Sequence, residues 1–328
     1  MAVCVSNVQA QDSVRLNEGY SNVFGGREVK VQIAASSKEN KRRLIRWSHM
    51  ANDRTLSNGE VDVDFRVNQS QSLSVKLRIP SVKPGVIFGT KLLASIGDPQ
   101  QSDVLAKTEA PIWIFHEDPF YGHGEWLKSL KIAVYDPDGA TVEFLTEAGV
   151  PFDRIRNLAA LEKFEQCTLI VGEGASLKRN QSLPKVVEQL AAKGARILWL
   201  APAATGRFGV STDGNKVSPE SLSFHRNGII TRLDKRLDAH RWLTDIDPVI
   251  RHFSHRSFRN RLVLEFSDEP TGWPWHNVSY ENGGELVYCG FGIVKHWESS
   301  PTPRFLLLRI LQHLNKTSDG EPSRQENR

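Results

Sequence analysis

The sequence predicts two domains of different fold class, an antiparallel β-sandwich over residues 20–117 and an α/β domain over residues 128–316. Three observations support this division. Apolar and polar residues alternate with a period of two in the first part, and short apolar runs alternate with helix-length segments in the second. A loop containing Pro and Gly separates the two parts. With 328 residues, the chain is long enough to build two hydrophobic cores.

The strands of the first domain are predicted from this period-two alternation. They are expected at residues 28–34, 43–48, 61–67, 73–79, 89–96 and 110–115. Turn signals lie between them, at residues 25–26, 57–59 and 83–85. Six or seven short strands at this spacing are typical of a sandwich of the immunoglobulin type, in which Trp47 is expected to be a core residue.

The elements of the second domain are predicted from its apolar runs. Strands are expected at residues 130–136, 151–155, 168–172, 196–202, 228–233, 261–266 and 285–290, and helices up to residue 145, at 158–164, at 186–192 and at 303–314. Pro303 stands in the first turn of the last helix, a position that proline favours. Strands of this length separated by helices are typical of a mainly parallel sheet that is covered on both faces.

Three segments are expected to lie outside the two domains. Residues 118–127 are assigned to a linker, and the polar residues 317–328 to a disordered tail. Residues 1–19 are assigned to a tail or to the remnant of a secretory signal, because residues 8–10 resemble the small-residue end of such a signal. We therefore expect an exported protein, periplasmic or extracellular.

Composition and motifs exclude several classes of function. The net charge is only +4, and the basic cluster Lys41, Arg42 and Arg43 is expected in a solvated loop, so no nucleic-acid partner is predicted. No run is long enough to span a membrane. The glycine turn at residues 172–174 lacks the third glycine of a dinucleotide fingerprint. No cofactor is predicted, and homo-oligomerisation is left open.

The cysteines indicate neither a metal site nor a nucleophile. Cys4, Cys167 and Cys289 have no metal-ligand spacing, and we predict no bound metal. Cys289 lies near His296 in sequence, but it lacks the flanking glycines and the directly following helix of a nucleophile elbow. Cys167 and Cys289 are therefore predicted to be structural, and no catalytic residue is assigned.

Carboxylates stand at the ends of the predicted parallel strands. Asp136 and Asp138 follow the first strand, and Glu173 follows the strand at residues 168–172. Because open α/β sheets bind ligands at the carboxyl ends of their strands, these three residues are candidate ligand-binding residues. If two of them converge, they could also act as a general acid–base pair.

A tryptophan-rich segment is the second candidate for ligand binding. Trp273, Trp275 and His276 follow one another closely, and His296 follows another strand end. Exposed indole rings beside polar groups are typical of surfaces that stack on sugar rings. The alternative is that these rings pack the segment onto the sheet. If the first interpretation holds, replacing Trp275 or Glu173 with Ala abolishes ligand binding without unfolding the protein.

Residues 21–29 (SNVFGGREV) and 110–114 (APIWI) are the basis of a family resemblance for the first domain. It resembles the accessory β-sandwiches of β-galactosidase-like and β-glucuronidase-like glycoside hydrolases. The resemblance implies an immunoglobulin-like sandwich and an association with carbohydrates. The paired carboxylates of a glycosidase have no scaffold here, because the chain has no glycosidase barrel.

The second domain resembles the class I glutamine amidotransferase-like fold, a three-layer flavodoxin-like architecture. The resemblance is to the degenerate form of ThuA-like proteins and of the trimerisation domain of some β-galactosidases. The residues that carry it are 130–136, 161–174, 187–202, 283–292 and 303–314. Where that family has its catalytic cysteine, this sequence reads VGEG at 171–174, with Glu173 in place of a nucleophile.

Three functional hypotheses follow. The first is a non-catalytic, carbohydrate-associated protein that binds a glycan or assembles with a partner. The second is a hydrolase that acts on glycans through Asp136, Asp138 and Glu173. The third is a purely structural interaction domain. The burial of the three carboxylates and their distance from one another discriminate between these hypotheses.

Overall fold

A computed structural model describes most of the chain. The described residues are 12–16, 22–67, 69–100, 103–164, 168–204, 206–210, 219–225, 229, 233–238, 241–242, 247–257 and 272–315. Contacts divide the chain into two compact units, Met1–Glu117 with His240–Ile246, and Asp118–Ala239 with Asp247–Arg328. Strands predominate among the described residues, with seventeen strands in four sheets and five α-helices.

The first unit is a β-sandwich of a three-stranded and a five-stranded sheet. Its strands are β1 (Ser13–Leu16), β2 (Asn22–Phe24), β3 (Glu28–Ser36), β4 (Arg42–Ala51), β5 (Arg54–Asp64), β6 (Ser70–Arg78), β7 (Phe88–Gly97) and β8 (Val104–Phe115). The sheet orders are β1-β3-β6 and β2-β8-β7-β4-β5, and all neighbours are antiparallel except β2 and β8.

Alternating residues of both sheets build one core in this unit. Ile33 and Leu77 contribute from the smaller sheet, and Ile45, Ile96 and Ile114 from the larger one, each at most 1% exposed. Trp47 lies half-buried against the same cluster. The period-two pattern of the sequence therefore reflects one face packed on this core and one face turned away from it.

Three sequence expectations for this unit are wrong. Residues 13–16, which we assigned to a tail, form β1 and pair with β3. Arg43 was expected to be solvated, but it is 3% exposed; it lies in β4, where a strand was predicted, with its guanidinium 3.2 Å from Asp12 and 3.6 Å from Asp98. The pairing explains the burial, because a buried cation requires anionic partners.

The predicted turn at residues 57–59 is also wrong, since these residues lie inside β5. The chain turns instead between β4 and β5, where Asn52 adopts a positive φ of 51°. Gly59 serves a different purpose, because a Cβ atom on it would lie 2.8 Å from the indole of Trp47. The glycine therefore makes room for a ring on the neighbouring strand.

The main sheet of the second unit has seven strands. The unit contains β9 (Ile132–Tyr135), β10 (Asp153–Ile155), β11 (Thr168–Val171), β12 (Arg196–Leu200), β13 (Gly206–Val210), β14 (Pro219–His225), β15 (Phe253–Ser257), β16 (Trp275–Tyr280) and β17 (Glu285–Cys289). The sheet order is β10-β9-β11-β12-β17-β16-β14, and the first five strands run parallel. β16 and β14 are antiparallel additions, and β13 and β15 form a separate pair.

Five helices belong to this unit, together with the 3-10 helix Lys235–Leu237. They are α1 (Gly124–Ser129), α2 (Ala140–Glu147), α3 (Leu158–Glu162), α4 (Leu183–Ala192) and α5 (Pro301–Leu314). The strands β9 and β11 are buried at every position, as the unbroken apolar runs predict. α5 has buried residues around its whole circumference and not only on one stripe.

The structure also corrects several expectations for this unit. α1 begins at Gly124, inside the segment 118–127 that we assigned to a linker. The segment 273–276, which we predicted to bind a ligand, leads into β16, which begins at Trp275. Of the strand predicted at 228–233 only Ile229 and Leu233 are described, and neither lies in a strand. The strand predicted at 261–266, the tail 317–328 and residues 1–10 lie outside the described residues.

Candidate functional site at the carboxyl ends of the parallel strands

Asp136 directly follows β9 and is 2% exposed. Its Oδ2 accepts hydrogen bonds from the backbone N–H groups of Thr141 and Val142, at 2.7 and 3.0 Å. These amides belong to the first turn of α2, where unsatisfied N–H groups and the helix dipole favour an anion. Asp136 therefore stabilises the start of α2 from the end of the preceding strand.

The second carboxylate oxygen of Asp136 lies beside Gly172. Oδ1 is buried and has no hydrogen-bond partner among the described residues. A Cβ atom added to Gly172 would lie 2.7 Å from it, so the glycine after β11 leaves the space that this oxygen occupies. Gly172 thus brings the ends of β9 and β11 together around the Asp136 side chain.

Glu173 lies one residue further along and is 9% exposed. Its own N–H donates to Thr141 Oγ1 at 2.8 Å. Its carboxylate accepts from the N–H of Val294 at 2.9 Å and from the N–H of Lys295 at 3.0 Å. Thr141 thereby links the two acidic residues, and the Glu173 side chain joins the end of β11 to the turn after β17.

Burial governs the protonation of Glu173. Loss of solvation raises the pKa of its carboxyl group above the ordinary value. The hydrogen bonds from Val294 and Lys295 and the charge of Lys295 lower the pKa, but they do not cancel the effect of burial. The arrangement is therefore a buried, backbone-bound carboxylate with a raised proton affinity.

Asp138 does not belong to this buried pair. Its side chain is 38% exposed and lies 3.6 Å from Arg179, which is itself 79% exposed. An ion pair between groups this exposed contributes little to stability. The structure thus links Asp136 to Glu173 through Thr141 and leaves Asp138 at the surface.

The tryptophan-rich segment does not provide the exposed stacking surface that the sequence suggested. Trp275 and His276 are both 0% exposed, and the Trp275 ring lies 5.8 Å from Phe291. His276 Nε2 lies 3.0 Å from the carbonyl oxygen of Trp273, and its ring meets Phe224 edge-on at 4.7 Å. Trp273 is half-buried. The alternative interpretation, in which these rings pack onto the sheet, describes Trp275 and His276.

His296 and Trp297 lie in the turn that binds Glu173. Burial and the neighbouring Lys295 lower the pKa of the half-buried His296, and a backbone hydrogen bond involving Asp247 opposes this. The Trp297 ring packs edge-on against Phe144 at 4.4 Å, and the Arg304 guanidinium lies 5.3 Å from its centroid. These contacts hold the turn in place.

Cys289 is buried at the end of β17, with Sγ 3.9 Å from the carbonyl oxygen of Phe291. Burial raises the pKa of the thiol far above its ordinary value, so the sulfur is protonated at neutral pH. Cys4 and Cys167 lie outside the described residues.

Among the residues that are described, no cluster of three or more His, Cys, Asp or Glu side chains could hold a metal ion.

Sequence reasoning missed the residues that bind the two carboxylates. Thr141 and the amides of residues 294–295 carry no recognisable motif, because their contacts connect segments far apart in the chain. The acidic residue before a helix start was the one available signal, since carboxylates are favoured at helix N-termini.

Within the described residues, no helix is both long and apolar enough to cross a bilayer.

Comparisons with known proteins give only distant likenesses. No family model and no curated protein matches this chain. A Niemann-Pick type C2 protein from Japanese carpenter ant is 7% identical, with a TM-score of 0.24, over 32% of this chain and 94% of that one. A putative β-galactosidase from Bacteroides fragilis is 6% identical, with a TM-score of 0.25, over 60% of this chain and 29% of that one.

A calcium-binding mutant of Bacteroides uniformis β-glucuronidase 2 is another such neighbour. It is 9% identical, with a TM-score of 0.24, over 63% of this chain and 34% of that one. This chain thus spans about a third of the length of the two Bacteroides enzymes. TM-scores this low support no conclusion on fold, activity or substrate.

Proposed function

We propose that this chain is a non-catalytic, carbohydrate-associated protein that binds a glycan or assembles with a partner. In this proposal the second unit has an amidotransferase-like, flavodoxin-type fold without the catalytic cysteine, and the first is an immunoglobulin-like sandwich. Counted along the chain, the parallel strands have the order 2-1-3-4-5, which supports the flavodoxin-type assignment. The two packed sheets of the first unit support the sandwich assignment.

The observation that carries the proposal is the bonding of Glu173. This residue stands at the strand end where the resembling family has its nucleophile, and both of its carboxylate oxygens accept backbone N–H groups. A nucleophile or a general base must present an oxygen to its substrate, whereas this carboxylate is buried and each of its oxygens is already bonded to the backbone. Glu173 instead joins two loops, which is the role of a structural residue in a scaffold.

A turnover screen tests this proposal. The wild-type chain and the variants Glu173→Gln and Asp136→Asn are incubated with a panel of aryl glycosides, and the same proteins are applied to a glycan array. We expect no turnover by any of the three proteins. Turnover by the wild-type chain that is lost in either variant, while the variant remains folded by circular dichroism, would overturn the non-catalytic assignment.

A glycan hydrolase is the second candidate, and the raised pKa of Glu173 favours it. A carboxyl group that stays protonated at higher pH is suited to be a general acid. Asp136 Oδ1, which lacks a hydrogen-bond partner among the described residues, is the matching acceptor. In this case the activity of the wild-type chain would fall with the deprotonation of Glu173 as pH rises, and Glu173→Gln would abolish the activity.

A purely structural interaction domain is the third candidate. This candidate predicts that the protein neither turns over nor binds glycans. It also predicts a defined oligomer or complex in solution, which light scattering measures. Export to the periplasm or the cell exterior is part of the carbohydrate proposal, because a glycan-associated protein must meet its ligand there. Cell fractionation tests this location directly.

A further inference from the structure

The outer face of the five-stranded sheet carries an open groove of about 970 Å³. The inner face of the same sheet is the sandwich core, to which Ile45, Ala94 and Ile96 contribute. Successive residues of a strand point to opposite faces, so Arg46 and Ser95 point away from this core. The groove volume lies at the upper end of the range for small-molecule sites, roughly 300–1,000 Å³.

Two rows of mostly polar side chains cross the groove. In the first row Glu60, Arg46, Ser95 and Lys107 stand opposite one another on β5, β4, β7 and β8. In the second row Asn58, Ser48, Leu93 and Glu109 do the same. Arg46 Nε lies 3.6 Å from Glu60 Oε2, and both side chains are more than a third exposed. The two rows thus present both donors and acceptors on an accessible surface.

The charges of the groove nearly cancel. Its lining includes the cations Arg46, Lys91 and Lys107 and the anions Glu60 and Glu109. A site for a polyanion requires a stripe of cations, which this alternation does not provide. The core of a protein–protein interface is depleted of charged residues, whereas five of the fourteen residues that line this groove are charged. The lining instead suits hydroxyl groups, each of which both donates and accepts hydrogen bonds.

An indole ring lies on the same face, one row beyond Lys91. A Cβ atom on Gly89 would point outward and would lie 2.7 Å from Cζ3 of Trp113, so the ring covers this glycine. Trp113 alternates with the buried Ile112 and Ile114, which confirms its outward direction, and it is half-buried. The part of this indole that remains exposed offers an apolar surface for the C–H face of a sugar ring.

We propose that this groove binds a neutral oligosaccharide of a few sugar units, whose hydroxyl groups bond to Arg46, Glu60, Lys107 and Glu109. The inference rests on the proposed function and assigns its glycan site to the sandwich, and not to Asp136 and Glu173. Because the ligand is uncharged, salt leaves its affinity unchanged.

Isothermal titration calorimetry on the full chain tests the inference. The probes are soluble neutral hydrolysates of xyloglucan, β-1,4-galactan and β-1,4-mannan, with polygalacturonate as an anionic comparison. The double variant R46A/E60A removes one cross-strand ion pair in the groove. The matched control E28A/K76A removes the Glu28–Lys76 pair on β3 and β6, at 3.3 Å and similarly exposed.

We expect at least one neutral hydrolysate to bind the wild-type chain. Its affinity for R46A/E60A should be weaker by at least about tenfold, and its affinity for E28A/K76A should lie within about twofold of the wild-type value. Unchanged affinity in R46A/E60A overturns the groove assignment while the proposed function stands. Binding of polygalacturonate alone, weakened by salt, overturns the neutral-ligand assignment. If no probe binds, the inference fails, and the turnover screen still decides whether the protein is catalytic.

Discussion

The carboxyl ends of the parallel strands and the outer face of the five-stranded sheet both display acidic residues, but they use them differently. Asp136 and Glu173 are buried, and their carboxylates bond to backbone N–H groups. The Glu60 side chain is 66% exposed and pairs with Arg46 on the next strand. Chain segments that meet at a strand end leave amides to be satisfied, and nearby carboxylates satisfy them first. A carboxylate that bonds to such amides is less available to a ligand than one that, like Glu60, is exposed on the face of a sheet.

The tryptophans differ in the same way. Trp275 lies in β16 and is fully buried, whereas Trp113 lies over Gly89 on the outer face of a sheet and is half-buried. Both stand in strands, so their immediate sequence does not separate them. What differs is whether another layer of the protein covers the face on which each ring lies.

The largest expected effect is that of Trp275→Ala on stability. The substitution leaves a cavity beside Phe291 and should lower the free energy of unfolding by about 3–5 kcal/mol. Urea unfolding followed by circular dichroism measures it. The control is Tyr121→Ala, because Tyr121 is 60% exposed and its loss should change stability by less than about 0.5 kcal/mol. Equal, small effects of the two substitutions would contradict the burial of Trp275.

A smaller loss is expected for Asp136→Ala. It removes the acceptor of the Thr141 and Val142 amides at the start of α2, and it should cost about 1–2 kcal/mol. Asp138→Ala, two residues away, removes only an exposed ion pair and should cost less than about 0.5 kcal/mol. If both variants unfold at the same urea concentration, Asp136 does not stabilise α2.

Glu173 should make stability depend on pH. Because burial raises its pKa in the folded state, the folded protein retains a proton that the unfolded chain has already released. The stability that Glu173 contributes through this proton is fully present below the ordinary pKa of a carboxyl group. It is lost as pH rises through the raised pKa of the folded state. Urea unfolding across this window should give a less negative slope of stability against pH for Glu173→Gln than for wild type. Identical slopes would show that Glu173 titrates normally.

The smallest expected effect belongs to the exposed ion pairs. R46A/E60A and E28A/K76A should each change the free energy of unfolding by less than about 1 kcal/mol, because both pairs lie in solvent. Thermal unfolding of the two double variants measures this. A marked destabilisation by R46A/E60A alone would mean that the pair supports the sandwich, and that a loss of glycan binding in this variant has a structural cause.

The positions of many strands were accessible from patterns along the chain. The alternation in residues 28–34 and 73–79 located β3 and β6, and the apolar runs located β9, β11, β12 and β17. Isolated signals were less reliable. The Asn-Gly pair at 58–59 predicted a turn, but this glycine is needed beside Trp47 in the middle of β5. A glycine that admits a neighbouring ring cannot be told from a turn glycine by its sequence.

The candidate site was accessible only in part. The positions of Asp136 and Glu173 at strand ends followed from the apolar runs that precede them. Their bonding to α2 and to the turn at 293–295 did not, because it joins residues up to 122 positions apart. The groove was also missed, since its rows arise from the register of four strands that are separated in sequence.

The sequence by itself determined which residues face a core, because periodicity of hydrophobic residues is a local property that the chain carries in any arrangement. Only the tertiary structure decided which polar and aromatic groups remain accessible. Accessibility depends on the segments that come to lie beside a residue, and these are distant in the chain. For this reason Glu173 was recognisable as a strand-end acid, while its commitment to the amides of Val294 and Lys295 appeared only in the folded protein.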